Sequence, residues 1–204
     1  MDFWNDVATD RSWEVLRELK RKFDFILIGG WACYMLTKII KSKDIDIIVD
    51  FETLGRMKAE LMLKKNPLLR KYEAIVKDIS IDIYVPFYSE FVVPVEFIQK
   101  NLIEISGFRI PKPEILLLLK QQAELERKDS VKGQKDRVDI LNLLINCELD
   151  IEEYKKLVRS FSLEKYRKRL GEIVQTARRE FEYLGITNPR EIRLKKRKIL
   201  DGLK

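Results

Sequence analysis

Apolar residues follow two different periods along this chain. Over residues 10–21, Trp13, Val15, Leu16 and Leu19 mark one helical face, and Asp10 is placed to cap it. Residues 25–28 form an unbroken apolar run that reads as a buried strand ending at Gly29-Gly30. Residues 31–38 return to a helical pattern. Ile45, Ile47 and Val49 then alternate with Asp44, Asp46 and Ile48, which is the period of a strand. A helix over 53–65, capped by Thr53 and anchored by Leu54, Met57, Leu61 and Met62, is stopped by Asn66-Pro67. Strands are predicted at 73–76 and 79–85, the second with strong alternation. Shorter ones fall at 102–105 and 108–110, joined by Ser106-Gly107.

From Pro113 the pattern is helical throughout. Helices are predicted over 114–126, from Lys132 or Gly133 to Asn146, and after a cap at Asp150. A long amphipathic helix over 163–184 is closed by Gly185. This organisation predicts an α/β module over 1–111 and an all-helical module over 112–204 that ends in a basic tail.

Composition narrows the class. Hydrophobic residues make up 46% of 204, enough for a real core, and 36% are charged, which suits long surface helices. The longest apolar runs, FILI and ILLLL, are too short to span a membrane. The N-terminal stretch MDFWNDVATD lacks the basic segment and apolar run of a signal peptide. Cys33 and Cys147 have no metal-ligand spacing. These features predict a soluble, cytoplasmic protein with free thiols and no membrane partner.

The chain has no histidine. That excludes histidine acid–base chemistry, serine triads and most zinc enzymes. What remains is Asp, Glu, Lys, Arg, or a hard metal ion held by oxygens. The net charge of +7 is uneven, because residues 165–204 hold 13 Lys/Arg against 5 Asp/Glu. The basic excess is thus a C-terminal property.

Asp44 and Asp46 are two apart on a predicted strand, so both carboxylates share a face. Burying unpaired like charges is costly, so a confined pair favours a cation, here Mg²⁺ or Mn²⁺. Asp82 repeats the arrangement between Ile81 and Ile83. If its strand lies beside the first, three carboxylates can bridge two metals. Gly29-Gly30, between a strand and a helix, lets a phosphate approach the backbone at a helix N-terminus. Neither a P-loop nor a GxGxxG fingerprint is present. The plainer alternative is a pair of ordinary surface aspartates, since D-x-D also occurs by chance.

This constellation resembles the nucleotidyltransferase superfamily with its polymerase-beta-like core. Gly29-Gly30-Trp31-Ala32, then Lys43-Asp44-Ile45-Asp46-Ile47, then Ile81-Asp82-Ile83 match its pattern. The resemblance implies an α+β fold, in which a small mixed β-sheet is flanked by helices and followed by a helical domain. It also implies Asp44, Asp46 and Asp82 as metal ligands and catalytic residues, and Gly29 and Gly30 as the triphosphate cradle. The implied reaction is Mg-dependent transfer of a nucleoside monophosphate from an NTP to a hydroxyl acceptor.

Lys120-Gln-Gln-Ala123, Arg127 and Lys135-Asp136-Arg-Val-Asp139 are similar to the downstream signature of the AbiEii toxin-type members. On that likeness Lys120 reaches the triphosphate, Asp136 or Asp139 helps hold the site, and Arg127 and Lys135 join it. It also implies an antitoxin partner and tRNA as an acceptor. The loop before Asp44 departs from the family pattern, and Lys41, Ser42 and Lys43 can substitute there as phosphate contacts. That departure keeps open a degenerate nucleotide-binding or RNA-binding regulatory protein.

The basic run from Arg193 to Lys198 is a candidate RNA contact or a solvated tail. Tyr84 and Tyr88 are read as strand packing or as faces for a base. The apolar positions of the helix over 163–184 suit packing or a homodimer contact.

Overall fold

The structure, a computed structural model, describes residues 5–204; residues 1–4, which open the acidic N-terminal stretch, lie outside the described residues. The chain divides into two compact units, one ending at Lys112 and the other spanning Pro113–Lys204. Among the described residues, no helix is long and apolar enough to cross a membrane.

The first unit opens with α1 (Asp6–Lys22), which starts four residues earlier than expected. Asn5 caps it by accepting from the Val7 amide, so Asp10 lies inside the helix. The buried side of α1 carries Val15, Leu16 and Leu19, as the spacing predicts. Next come β1 (Ile26–Ile28) and α2 (Gly29–Thr37), with the glycine pair forming the first turn of α2. β2 (Ile45–Ile48) leads to α3 (Phe51–Glu60). Asp50, not Thr53, caps α3, because its carboxylate accepts from the Thr53 amide at 2.7 Å.

The expected tail of that helix is instead an edge strand, β3 (Lys64–Asn66). It pairs antiparallel with β4 (Lys71–Val76), and β4 pairs antiparallel with β5 (Ile79–Tyr84). A short helix, α4 (Val95–Gln99), and the hairpin β6 (Leu102–Ile105) and β7 (Phe108–Pro111) complete the unit.

The seven strands of the described residues form one mixed sheet in the order β3-β4-β5-β2-β1-β7-β6. β1 runs antiparallel to β2, whereas β2 is parallel to β5 and β1 to β7. Leu27, Ile45, Ile47, Ile81 and Ile83 are fully buried on one face. α2 packs on β1 and β2, and the Trp31 indole N–H donates to Ser12 of α1 at 2.9 Å. Trp31 therefore points into the core, against Trp13 and Tyr34.

The second unit is all helical. It contains α5 (Pro113–Arg127), α6 (Val131–Asn146), α7 (Ile151–Ser160), α8 (Glu164–Thr176), α9 (Arg179–Tyr183) and α10 (Pro189–Gly202). α5 packs on α6, α7 and α8, burying Ile115 to Leu118 completely or nearly so. The single long helix expected over 163–184 is broken at Ala177-Arg178. There the Glu180 carboxylate accepts from the Arg178 amide at 2.9 Å and pairs with Arg137 of α6 at 2.5 Å.

Candidate active site

The two strand pairings around β2 decide what stands beside Asp46. β1 is antiparallel to β2 and sets Ile28, the last strand residue before the glycines, opposite Asp46. β5 is parallel to β2 and sets Asp82 opposite Asp46. Residues in register on neighbouring strands share a face, about 4.8 Å apart. Asp82 thus lies on the same face as Asp46, next to the turn that begins α2.

Gly29 closes the other side. It has φ +66°, a left-handed conformation that glycine adopts without strain. A Cβ built there would stand 2.1 Å from Asp46 Oδ2, 2.7 Å from Cγ and 2.9 Å from Cβ. The Asp46 carboxylate therefore occupies the space a side chain at position 29 would fill. It sits at the N-terminus of α2, where the helix dipole favours negative charge. Asp44 is half-buried in the bend that leads into β2, and the Ser42 hydroxyl donates to its carbonyl at 3.1 Å. Lys43, between them, is exposed, whereas Lys41 pairs with Asp10 of α1 at 2.6 Å.

Two residues of this face were not singled out from the sequence. Glu73 of β4 is in register with Asp82, which extends the acidic row across a third strand. Lys71, two residues earlier on β4, places its Nζ 2.6 Å from Asp82 Oδ2 and 3.1 Å from Glu73 Oε1. The Asn66 amide donates to Glu73 Oε1 at 2.9 Å. That bond, opposed by partial burial and reinforced by Lys71, holds the Glu73 carboxyl below its ordinary range. Alternation of Lys71, Glu73 and Ile75 was the available signal.

Among the described residues, no group of three or more His, Cys, Asp or Glu side chains is gathered closely enough to hold a metal ion. Asp82 is turned to Lys71 instead. Asp44, Asp46 and Asp82 offer only oxygen atoms, the donor type that suits a hard cation such as Mg²⁺ or Mn²⁺. The space left by the missing side chain of Gly29 accommodates the Asp46 carboxylate.

The other residues singled out from the sequence lie in the helical unit and meet one another. Lys120 Nζ is 2.7 Å from Asp139 and 3.2 Å from Asp136. Lys135 is also 2.7 Å from Asp139, and Arg127 Nε is 2.7 Å from Asp136, with a second bond at 3.1 Å. Burial pushes the Asp139 carboxyl up, but the ammonium groups of Lys120 and Lys135 outweigh it and hold it below the ordinary carboxylate range. Arg127 is the exposed member, at 43% of its side-chain surface.

The aromatic and thiol candidates have packing roles. Tyr84 lies against Phe91 with ring centres 4.8 Å apart, and Tyr88 lies against Tyr72 at 5.8 Å. Neither cysteine is in a disulfide; Cys33 is fully buried, and burial raises the Cys147 thiol to about 11.

No protein-family model matches the sequence, and no curated protein matches it. Solved structures do. The crystal structure of ANT(2")-Ia in complex with adenylyl-2"-tobramycin is similar at 16% identity with a TM-score of 0.52, over 78% of this chain and 99% of that one. JHP933 from Helicobacter pylori is similar at 17% identity with a TM-score of 0.54, over 98% of this chain and 94% of that one. A candidate nucleotidyltransferase from the same species is similar at 17% identity with a TM-score of 0.55, over 98% and 97% of the two chains. A mixed sheet flanked by helices and followed by an all-helical region gives this chain a nucleotidyltransferase-like architecture.

Proposed function

We propose that this protein is a Mg-dependent nucleotidyltransferase that passes a nucleoside monophosphate from an NTP to a hydroxyl of an RNA acceptor. The observation that carries the reading is the in-register pairing of Asp46 with Asp82 beside Gly29 at the head of α2. Asp44, Asp46 and Asp82 are assigned as the residues that hold Mg²⁺ or Mn²⁺. Bound there, the cation would neutralise the polyphosphate and lower the pKa of the attacking hydroxyl.

The backbone amides of Gly29 and Gly30 open α2 and are assigned to the triphosphate, because a helix N-terminus favours anions. Lys43, exposed beside Asp44, is assigned to a phosphate oxygen. In the reaction the acceptor oxygen bonds to the α-phosphorus, the bond to pyrophosphate breaks, and the hydroxyl proton passes to solvent. In the helical unit, Arg127, paired with Asp136 and the most exposed member of the network, is assigned to an anionic ligand.

RNA is favoured as acceptor by α10. Arg190, Arg193 and Arg197 are all exposed and spaced three and four apart, which places them on one side of that helix. Such a stripe suits a phosphate backbone. A toxin of the AbiEii type acting on tRNA is the narrower form of this proposal.

The test is incubation with each labelled NTP, Mg²⁺ and total RNA. Transfer is expected, and the double substitution Asp44→Asn and Asp46→Asn should abolish it. Absence of transfer to RNA, protein or small molecules would overturn the reading. Mg-dependent NTP binding without any turnover would favour a nucleotide-binding regulator instead.

A further inference from the structure

A lysine is seldom buried unless its ammonium is paired. Lys71 is 9% exposed, and its amine lies between the carboxylates of Asp82 and Glu73. The sheet puts it there. Lys71 begins β4 two residues before Glu73, so both project from the same face. The register then aligns Glu73, Asp82 and Asp46 across β4, β5 and β2. Lys71 is thus a fixed positive charge on a row of acids that otherwise repel one another.

We propose that Lys71 is a positioning residue, a built-in counter-ion that competes with the divalent cation for Asp82. This inference rests on the assignment of Asp82 as a metal ligand. Asp82 can take up a divalent cation only by giving up its 2.6 Å bond to Lys71, or by holding the cation against the repulsion of that ammonium. Without nucleotide, the row therefore binds a divalent cation weakly. The NTP, bringing its own phosphate oxygens as further ligands, shifts the balance. Premature metal loading is suppressed, and the empty row stays folded without a metal.

The experiment is a Mn²⁺ titration of the full chain without nucleotide, read by the electron paramagnetic resonance of free Mn²⁺. Wild type, Lys71→Met and Lys71→Arg are compared, with folding checked by circular dichroism. Lys71→Met should bind Mn²⁺ at least about tenfold more tightly than wild type, because a neighbouring opposite charge shifts such equilibria by that order. Lys71→Arg should stay close to wild type, and adding Asp82→Asn to Lys71→Met should remove the gain. Lys71→Met should also melt lower in chelator and recover with Mn²⁺.

If Lys71→Met does not fold, Lys71→Gln keeps a hydrogen bond to Asp82 without the charge and should show the same gain. Unchanged or weaker Mn²⁺ affinity in a folded, uncharged variant would overturn the inference and leave the nucleotidyltransferase reading standing. Absence of Mn²⁺ binding in wild type and uncharged variants alike, persisting after NTP is added, would overturn both.

Discussion

Gly29 and Asp46 depend on each other. The left-handed backbone at position 29 costs an L-residue about 1–2 kcal/mol, and an added methyl would meet three atoms of the Asp46 side chain. Gly29→Ala should therefore lower stability by about 2–3 kcal/mol, with overpacking adding to the backbone strain. It should also displace the Asp46 carboxylate, and with it transfer activity. In an Asp46→Ala background the two closest contacts, at 2.1 and 2.7 Å, are gone. The stability cost of Gly29→Ala should then fall by about 1 kcal/mol or more, a coupling that a double-mutant cycle in urea would measure. Equal costs in both backgrounds would mean that backbone strain alone is at work. The glycine pair and both D-x-D aspartates were legible because their spacing is local. Lys71 was not, because period two suggested a strand beginning at Glu73. The partner that justifies a buried lysine, Asp82, lies on a different strand.

At the scale of elements, the helix pair α5 and α6 is joined by charge rather than by apolar contact alone. Asp139 is fully buried between Lys120 and Lys135. Asp139→Asn should cost about 3 kcal/mol at neutral pH, since breaking one partner of a buried pair leaves charges uncompensated. The folded-state pKa of Asp139 is lowered. Its stabilisation is therefore complete above the unfolded carboxylate value, about 3.9, and is lost as pH falls through the folded one. The stability gap between wild type and Asp139→Asn should stay level from neutral pH to about 4 and close below it. A gap that widened on acidification would contradict this. Gly133 sets the approach of the same two helices, because a Cβ there would lie 2.1 Å from the Arg127 carbonyl oxygen. Backbone cannot yield as a side chain does, so Gly133→Ala should lower stability by about 1–3 kcal/mol and loosen the Arg127–Asp136 pair. Helix periodicity located both helices in advance. It failed where a distant group decides the outcome: the ion pair between Glu180 and Arg137 ends one helix and starts another inside a continuous apolar pattern. The pairing of β3 with β4 similarly claims residues that carry helical spacing.

At the scale of the whole chain, the proposed chemistry and the basic excess belong to different units. The aspartates and glycines lie in the unit ending at Lys112, and the arginine stripe of α10 lies in Pro113–Lys204. The switch to a helical period falls at Pro113, where the second unit begins. The stripe was only half legible: the sequence showed a basic cluster, while the fold places Lys196 against Phe181 and the Gln175 carbonyl. Arg190, Arg193 and Arg197 remain on the exposed side. If those three bind RNA phosphates, replacing all of them with alanine should weaken RNA binding across sequences alike. Each lost phosphate contact removes about 0.7 from the slope of log K against log salt for a single strand, so the slope should fall by about 2. Thermal stability should barely change, since exposed surface substitutions usually stay within about 0.5 kcal/mol. Mg-dependent NTP binding, read by calorimetry, should also persist, because none of the three belongs to the acidic row. A variant that keeps the full salt slope would remove α10 as the RNA contact and leave the acceptor to be sought elsewhere. A variant that loses NTP binding along with RNA would show that the basic helix serves the nucleotide rather than the acceptor.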